Sequence, residues 1–234
     1  MEKRLYTLWQ RPAQAADGFR DLLLEVLSPR LAAIDSLRGI RLAVADSDVA
    51  TAAQRRIESQ PTLPGALLSI WVDSSGVATT WERLIDECVE RRSGYLVEEV
   101  EPLVSQQGHP AGQGERVYGM CQLAFLRKPS KLARDNWLAI WLDSHTQVAI
   151  ETQSTFGYRQ NVVVRTLDEQ ALPFDAIVEE NFPPQAMASD HAFYDSGGDE
   201  ELLRQRMTTM LESCARFIDF EHIDVIPMSE YRIK

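Results

Sequence analysis

A histidine occupies a place where helix periodicity calls for an aliphatic residue. In the stretch WLAIWLDSHTQVA, residues 137–149, a 100° step gathers Trp137, Ile140, Trp141 and Val148 into one apolar stripe, widened by Leu138, Leu142 and Ala149. His145 falls inside that arc between Trp141 and Leu142, while Asn136, Asp143, Thr146 and Gln147 take the remaining face. An imidazole turned toward the interior or a cavity can donate or accept a proton near neutral pH, because its unperturbed pKa is about 6.5. His145 is therefore the candidate acid–base residue. The competing expectation is a structural histidine, hydrogen-bonded and packed.

Two strand-like segments follow, and their period of two sorts the polar residues into two groups. Tyr158, Gln160, Val162 and Val164 share one face, and Arg159, Asn161, Val163 and Arg165 the other. On the next segment Ala176, Val178 and Glu180 oppose Asp175, Ile177 and Glu179. The small and branched residues suit packing beneath helices, so Arg159, Asn161 and Glu179 should look the other way, either into a ligand site or at one another as an internal ion pair. Tyr158 and Gln160 then share the side of His145 and Trp141. Tyr194, from the connection PPQAMASDHAFYDSGG, is placed to reach them, and this connection is expected to hold a short helix and close over a pocket. An aromatic cavity with one titratable ring suits a small, planar, weakly polar metabolite.

Other chemistries lack residues. There is no GxGxxG or Walker loop, and His109, His145, His191 and His222 have no partner at HxxxH or HxxE spacing, so neither a nucleotide nor a metal site is expected. Ser144 is no nucleophile for its neighbour, since adjacent helical residues point about 100° apart.

The elements that must position these residues repeat. Strand, helix, strand, strand, helix and strand are predicted in RLYTLWQ, ADGFRDLLLEVLSPRLAAI, GIRLAVAD, GALLSIWVD, ATTWERLIDECVERR and GYLVEEVEPLV. The same order returns from RVYGMCQLAFLRK to EHIDVIPMSEY, across a Gly-, Gln- and Pro-rich linker, SQQGHPAGQGE. Residues 1–108 and 114–234 are thus expected to form two tandem β-α-β-β-α-β units of an α+β fold, each a four-stranded antiparallel sheet with helices on one face. Two such sheets packed face to face make a barrel, within one chain or between chains. Ser130 and Asp199 are the expected caps of the two helices in the second unit.

Composition fixes the surroundings. A net charge of −11 and a pI near 4.9 oppose a nucleic-acid or anionic membrane partner. No run is long enough to cross a bilayer and no leader is evident, so a cytoplasmic setting is expected. Cys88, Cys121 and Cys214 are widely spaced and read as small core residues.

Trp137, Trp141 and His145 at four-residue spacing, followed by FGYRQNVV and FDAIVEENF, resemble the EthD family, named for ethyl tert-butyl ether degradation, within the dimeric α/β barrel superfamily. The resemblance covers residues 116–230. It implies ferredoxin-like units, association as a homodimer, and relatives among small monooxygenases, cyclases and haem-handling enzymes, without implying one reaction. No cofactor is expected; haem ligation by His145 is the alternative that the superfamily suggests. A cyclase, lyase or cofactor-free oxygenase acting on an aromatic metabolite fits the residues, and so does a non-catalytic oligomerisation module. Setting Phe19 on Trp137 places Leu23 on Trp141 and Leu27 on His145, so the polar residue is peculiar to the second unit.

Overall fold

Alternating side chains become a closed barrel in the computed structural model, which describes residues 1–73, 77–105 and 111–234. Of the predicted linker, residues 106–110, His109 included, lie outside the described residues. The first unit contributes strands β1 (Glu2–Trp9), β2 (Leu37–Val44), β3 (Ala66–Val72) and β4 (Arg91–Leu103). The second contributes β5 (Met120–Leu126), β6 (Gly157–Thr166), β7 (Ala176–Phe182) and β8 (Asp224–Arg232). Within the units the spatial orders are β4-β1-β3-β2 and β8-β5-β7-β6. Antiparallel pairing of β2 with β8 and of β4 with β6 joins the two sheets, so the barrel closes within one chain. Closure leaves no sheet edge unpaired and needs no second copy.

The pleat separates two environments. Leu5, Tyr95, Leu123, Phe125, Ile177 and Ile226 pack inside the barrel. Tyr6, Ile40, Leu42, Leu68 and Ile70 face outward beneath the first unit's helices, as Ala176, Val178, Tyr158 and Val162 do in the second. Helix α1 spans residues 16–32, α2 is Ala78–Cys88, and α3 spans residues 134–152. Short α4 (Asp190–Phe193) lies in the extra connection, and α5 (Glu200–Cys214) leads to β8.

Both α1 and α3 depart from the regular helix predicted for them. Each contains a π turn, over Leu23–Leu27 and Ala139–His145. A hydroxyl reaches five residues back in each: Ser28 Oγ donates to the Leu23 carbonyl (2.8 Å) and Thr146 Oγ1 to that of Trp141 (3.1 Å). The wider turn brings Trp137, Trp141, His145 and Ala149 into one buried row, leaving Ile140 and Val148 half-buried on its flank. Ser130 does not cap α3; it sits in the preceding turn, and the helix begins after Ala133 without a side-chain cap. Asp199 does cap α5, accepting from the Glu201 and Leu202 amides.

Candidate functional site

The polar residues singled out from the sequence separate into two places on opposite sides of one sheet. Inside the barrel, Arg159 is fully buried and donates to Glu179 Oε2 through Nε (3.2 Å) and Nη2 (3.1 Å), while Nη2 also approaches Glu230 Oε1 (2.8 Å). Lys3 pairs with Glu99 and with Glu179 Oε1 (3.1 Å), and Asn161 donates to Glu179 Oε1 (3.0 Å). Arg41 and Asn181 complete the shell of Glu230 at 3.2 and 2.6 Å. Burial works to raise the Glu179 pKa, but Arg159, Lys3 and Arg41 hold it well below the usual carboxylate range. Burial likewise opposes ionisation of Glu230, and Arg159 with Arg41 overcomes it. The Arg159–Glu179 pair is thus an internal one, and both Glu179 oxygens are engaged within the network.

The other place lies between the second unit's sheet and helices. His145 is 4% exposed, its Nδ1 is 2.9 Å from Ser213 Oγ on α5, and its ring packs 4.6 Å from that of Phe217. Burial, then the charge of Arg216, lowers its pKa to about 4, so the ring is neutral at physiological pH. Axial ligation of haem would use the in-plane lone pair of Nε2 and needs room for a porphyrin beside it, which a ring only 4% exposed does not offer in this closed arrangement.

Beside the histidine, Trp141 Nε1 (3.3 Å) and Gln160 Nε2 (3.2 Å) both donate to Tyr158 Oη, and Gln160 Nε2 also donates to Thr146 Oγ1 (2.9 Å). With its oxygen accepting twice, Tyr158 retains its proton to offer. Burial, then the nearby Glu180 charge, raises the Tyr158 pKa. Tyr194 does not join this hydrogen-bonded group. It packs edge-on against Phe193, which stacks on Phe182 at 4.4 Å, and burial raises its phenol pKa.

One residue that the sequence reading sorted onto a face but did not single out stands apart. Glu180 is 7% exposed, faces the helices, and lies directly opposite Tyr158 in the β6–β7 register. Such cross-strand pairs have Cβ atoms about 4.5–5.5 Å apart. Among the described residues its Oε1 is buried without a hydrogen-bond partner and no cation answers its charge. Burial alone raises its pKa to about 7. From α5, Cys214 is close enough that, after burial, the Glu180 charge contributes to pushing its thiol up to about 12. The available signal was a carboxylate at the end of the helix-facing row Ala176, Val178, Glu180.

Among the described residues, one group of metal-ligand types comes together, Asp219, Glu221 and His222 in the turn before β8. Local bonding accounts for it: Asp219 accepts from the Glu221 amide (3.2 Å), and its other oxygen lies 2.9 Å from His222 Nδ1.

No family model matches the chain, and no curated protein matches it. Solved structures do. An anthrone oxidase-like protein shares 11% identity at a TM-score of 0.50, with 99% of this chain and 92% of that one covered. A candidate monooxygenase from Fusobacterium nucleatum subsp. nucleatum shares 8% identity at a TM-score of 0.50, covering 100% of this chain and 92% of that one. At such identities the likeness concerns the fold, and the fold is that of the dimeric α/β barrel proteins.

Proposed function

We propose that this chain binds a small, largely apolar aromatic metabolite between the sheet and helices of its second unit and performs acid–base chemistry on it. The observation that carries this reading is the placement of His145, Tyr158, Gln160 and Glu180 in an interface where the first unit has aliphatic residues. Buried polar groups lower stability unless paired, and Glu180 Oε1 is unpaired. Arg159 Nη1 and Asn161 Oδ1 are unpaired too, but they sit in a network of opposite charges, whereas burial alone acts on Glu180, and this isolation is what we read as a use beyond folding. The EthD-like reading of Trp137, Trp141 and His145 belongs to this proposal, as does the ligand-binding role of Trp141, Tyr158, Gln160 and Tyr194. Arg159, Asn161 and Glu179 serve the scaffold instead.

The interface is closed in the chain as it stands, with Tyr158 and Gln160 each 1% exposed. Access therefore requires the cover to move. We take residues 183–199 as that cover; they pack on Phe182, Met120 and Val49 beside the interface and are held by Arg55 to Asp190 (3.0 Å) and Arg206 to the Tyr194 carbonyl (2.7 Å). A cofactor-free oxygenase, with dioxygen as oxidant, is one reaction this arrangement suits; a cyclase or lyase is another.

Native mass spectrometry of the purified protein tests the binding reading. An aromatic small molecule released on denaturation is the expected result. A ligand-free chain that also fails to bind hydroxyarenes or anthrones would contradict it. Oxygen uptake with a bound phenol then separates the oxygenase from the other two.

A second reading, an assembly module, is favoured by the exposed apolar residues Met207 and Leu211 on α5, 40% and 62% exposed. Sedimentation of the wild type against Leu211→Glu tests it, a homodimer that dissociates in the variant being the supporting result.

A further inference from the structure

The geometry points to Glu180, rather than His145, as the proton acceptor of this site, and to a hydroxyarene as the ligand class whose O–H it takes. The inference rests on the binding reading above and deepens it. Three observations carry it. Glu180 is more than nine-tenths buried, with Oε1 unpartnered, whereas the two other buried glutamates of the same sheet system, Glu179 and Glu230, are surrounded by cations and amide donors. His145 Nδ1 is already committed to Ser213, and the burial that packs the ring against Phe217 leaves it a weak base. Tyr158 sits opposite Glu180 with its oxygen filled by two donors, so its own hydrogen is available to the oxygen of a ligand or to the carboxylate.

The step is a proton transfer without change of oxidation state. The ligand O–H bond breaks, its electron pair stays on the ligand oxygen, and a new O–H bond forms on Glu180. The resulting aryloxide accepts the Tyr158 hydrogen, which stabilises its charge where water is excluded. A carboxyl titrating near neutrality is matched to this task, since a base is most effective when its pKa lies close to the working pH. A carboxylate of ordinary acidity would be ionised but weakly basic; a protonated imidazole is not accessible at His145 under the same conditions. The titratable groups facing Glu180 are Tyr158 from β6, Cys214 from α5 and, through Cys214, Tyr194 from the connection, all kept neutral by burial.

2-Naphthol is the probe, because its hydroxyl becomes a strong acid on excitation and its emission reports whether a base is in contact. Binding is measured by calorimetry and proton transfer by fluorescence, at pH 8, on the wild type, Glu180→Gln and His145→Leu. The expected result is binding by the wild type and Glu180→Gln within about threefold of each other, with naphtholate emission from the bound probe in the wild type and its loss in Glu180→Gln. Naphtholate emission that persists in Glu180→Gln while binding is retained overturns the assignment and leaves the binding site standing. Emission lost in His145→Leu alone transfers the role to the histidine. No binding by a folded wild type overturns the ligand class, and with it the reading on which the inference rests.

Discussion

The two units bury their helices on sheets of the same strand order, with different chemistry. Gly39 opposite Trp71 in the first corresponds to Gly157 opposite Asn181 in the second. One residue further along, Ile40 faces Ile70 where Tyr158 faces Glu180. Next on that face, Leu42 opposes Leu68 where Gln160 opposes Val178. Above them, Leu27 at the end of one π turn stands where His145 ends the other. Four aliphatic positions thus correspond, by place in the strand pairing and at the end of the π turn, to a histidine, a phenol, an amide and a carboxylate. The first unit buries a phenol of its own, Tyr6, but pairs it with Trp81 and Glu82 (2.9 Å each), whereas the second leaves the carboxylate Glu180 without a partner.

The comparison is most easily broken by exporting the unusual residue. Ile70→Glu places an unpaired carboxylate in an interface that has no other use for it, and should lower stability by about 3 to 5 kcal/mol in urea unfolding. The opposite exchange, Glu180→Ile, should stabilise the protein, and its pH dependence has a definite sign. As pH rises from 4.5 toward about 7, the unfolded chain releases the Glu180 proton while the folded chain keeps it, so wild-type stability falls through that window. The part of the Glu180→Ile gain that depends on ionisation is therefore about 3 kcal/mol at pH 8 and disappears below pH 4.5. A variant less stable than wild type at pH 8 would show that the carboxylate is paired after all.

His145→Leu imports the first unit's residue and sharpens the same contrast from the acid side. Losing the Ser213 hydrogen bond costs about 1 kcal/mol at pH 8. Between pH 6.5 and about 4 the unfolded chain takes up the His145 proton and the folded chain does not, so the wild type loses stability as pH falls. The variant escapes that loss and should overtake the wild type by pH 5, with a relative change of about 2 kcal/mol in thermal or urea unfolding.

The smallest effect concerns the cover, which has no counterpart in the first unit. Arg206→Ala removes the contacts to Tyr194 and Asp195. Amide exchange across residues 183–199 should quicken several-fold, with the melting temperature nearly unchanged. Unaltered exchange would mean that apolar packing of Phe193 on Phe182 holds the cover by itself.

Much of this arrangement was legible in the amino-acid order. Period two separated Arg159, Asn161 and Glu179, which the barrel encloses, from Tyr158 and Gln160, which lie beneath the helices. What periodicity could not supply was pairing across distant strands. Lys3 and Glu230 reach Glu179 and Arg159 only because β1 and β8 are brought around the same barrel. The π turns were invisible because a helix's local pattern does not say that a hydroxyl will bond five residues back. Glu180 was sorted to the correct face and passed over, since alternation tells which side a carboxylate takes and not whether a partner waits there.

The most direct test of the account is the ionisation of that carboxyl itself. With glutamate side chains labelled by carbon-13, the wild type should show one carboxyl resonance titrating near pH 7, and Glu180→Gln should remove that resonance and leave the others in place. If every glutamate of the folded wild type ionises in the ordinary carboxylate range, Glu180 has a partner or a path to water, and the distinction drawn between the two units would not hold.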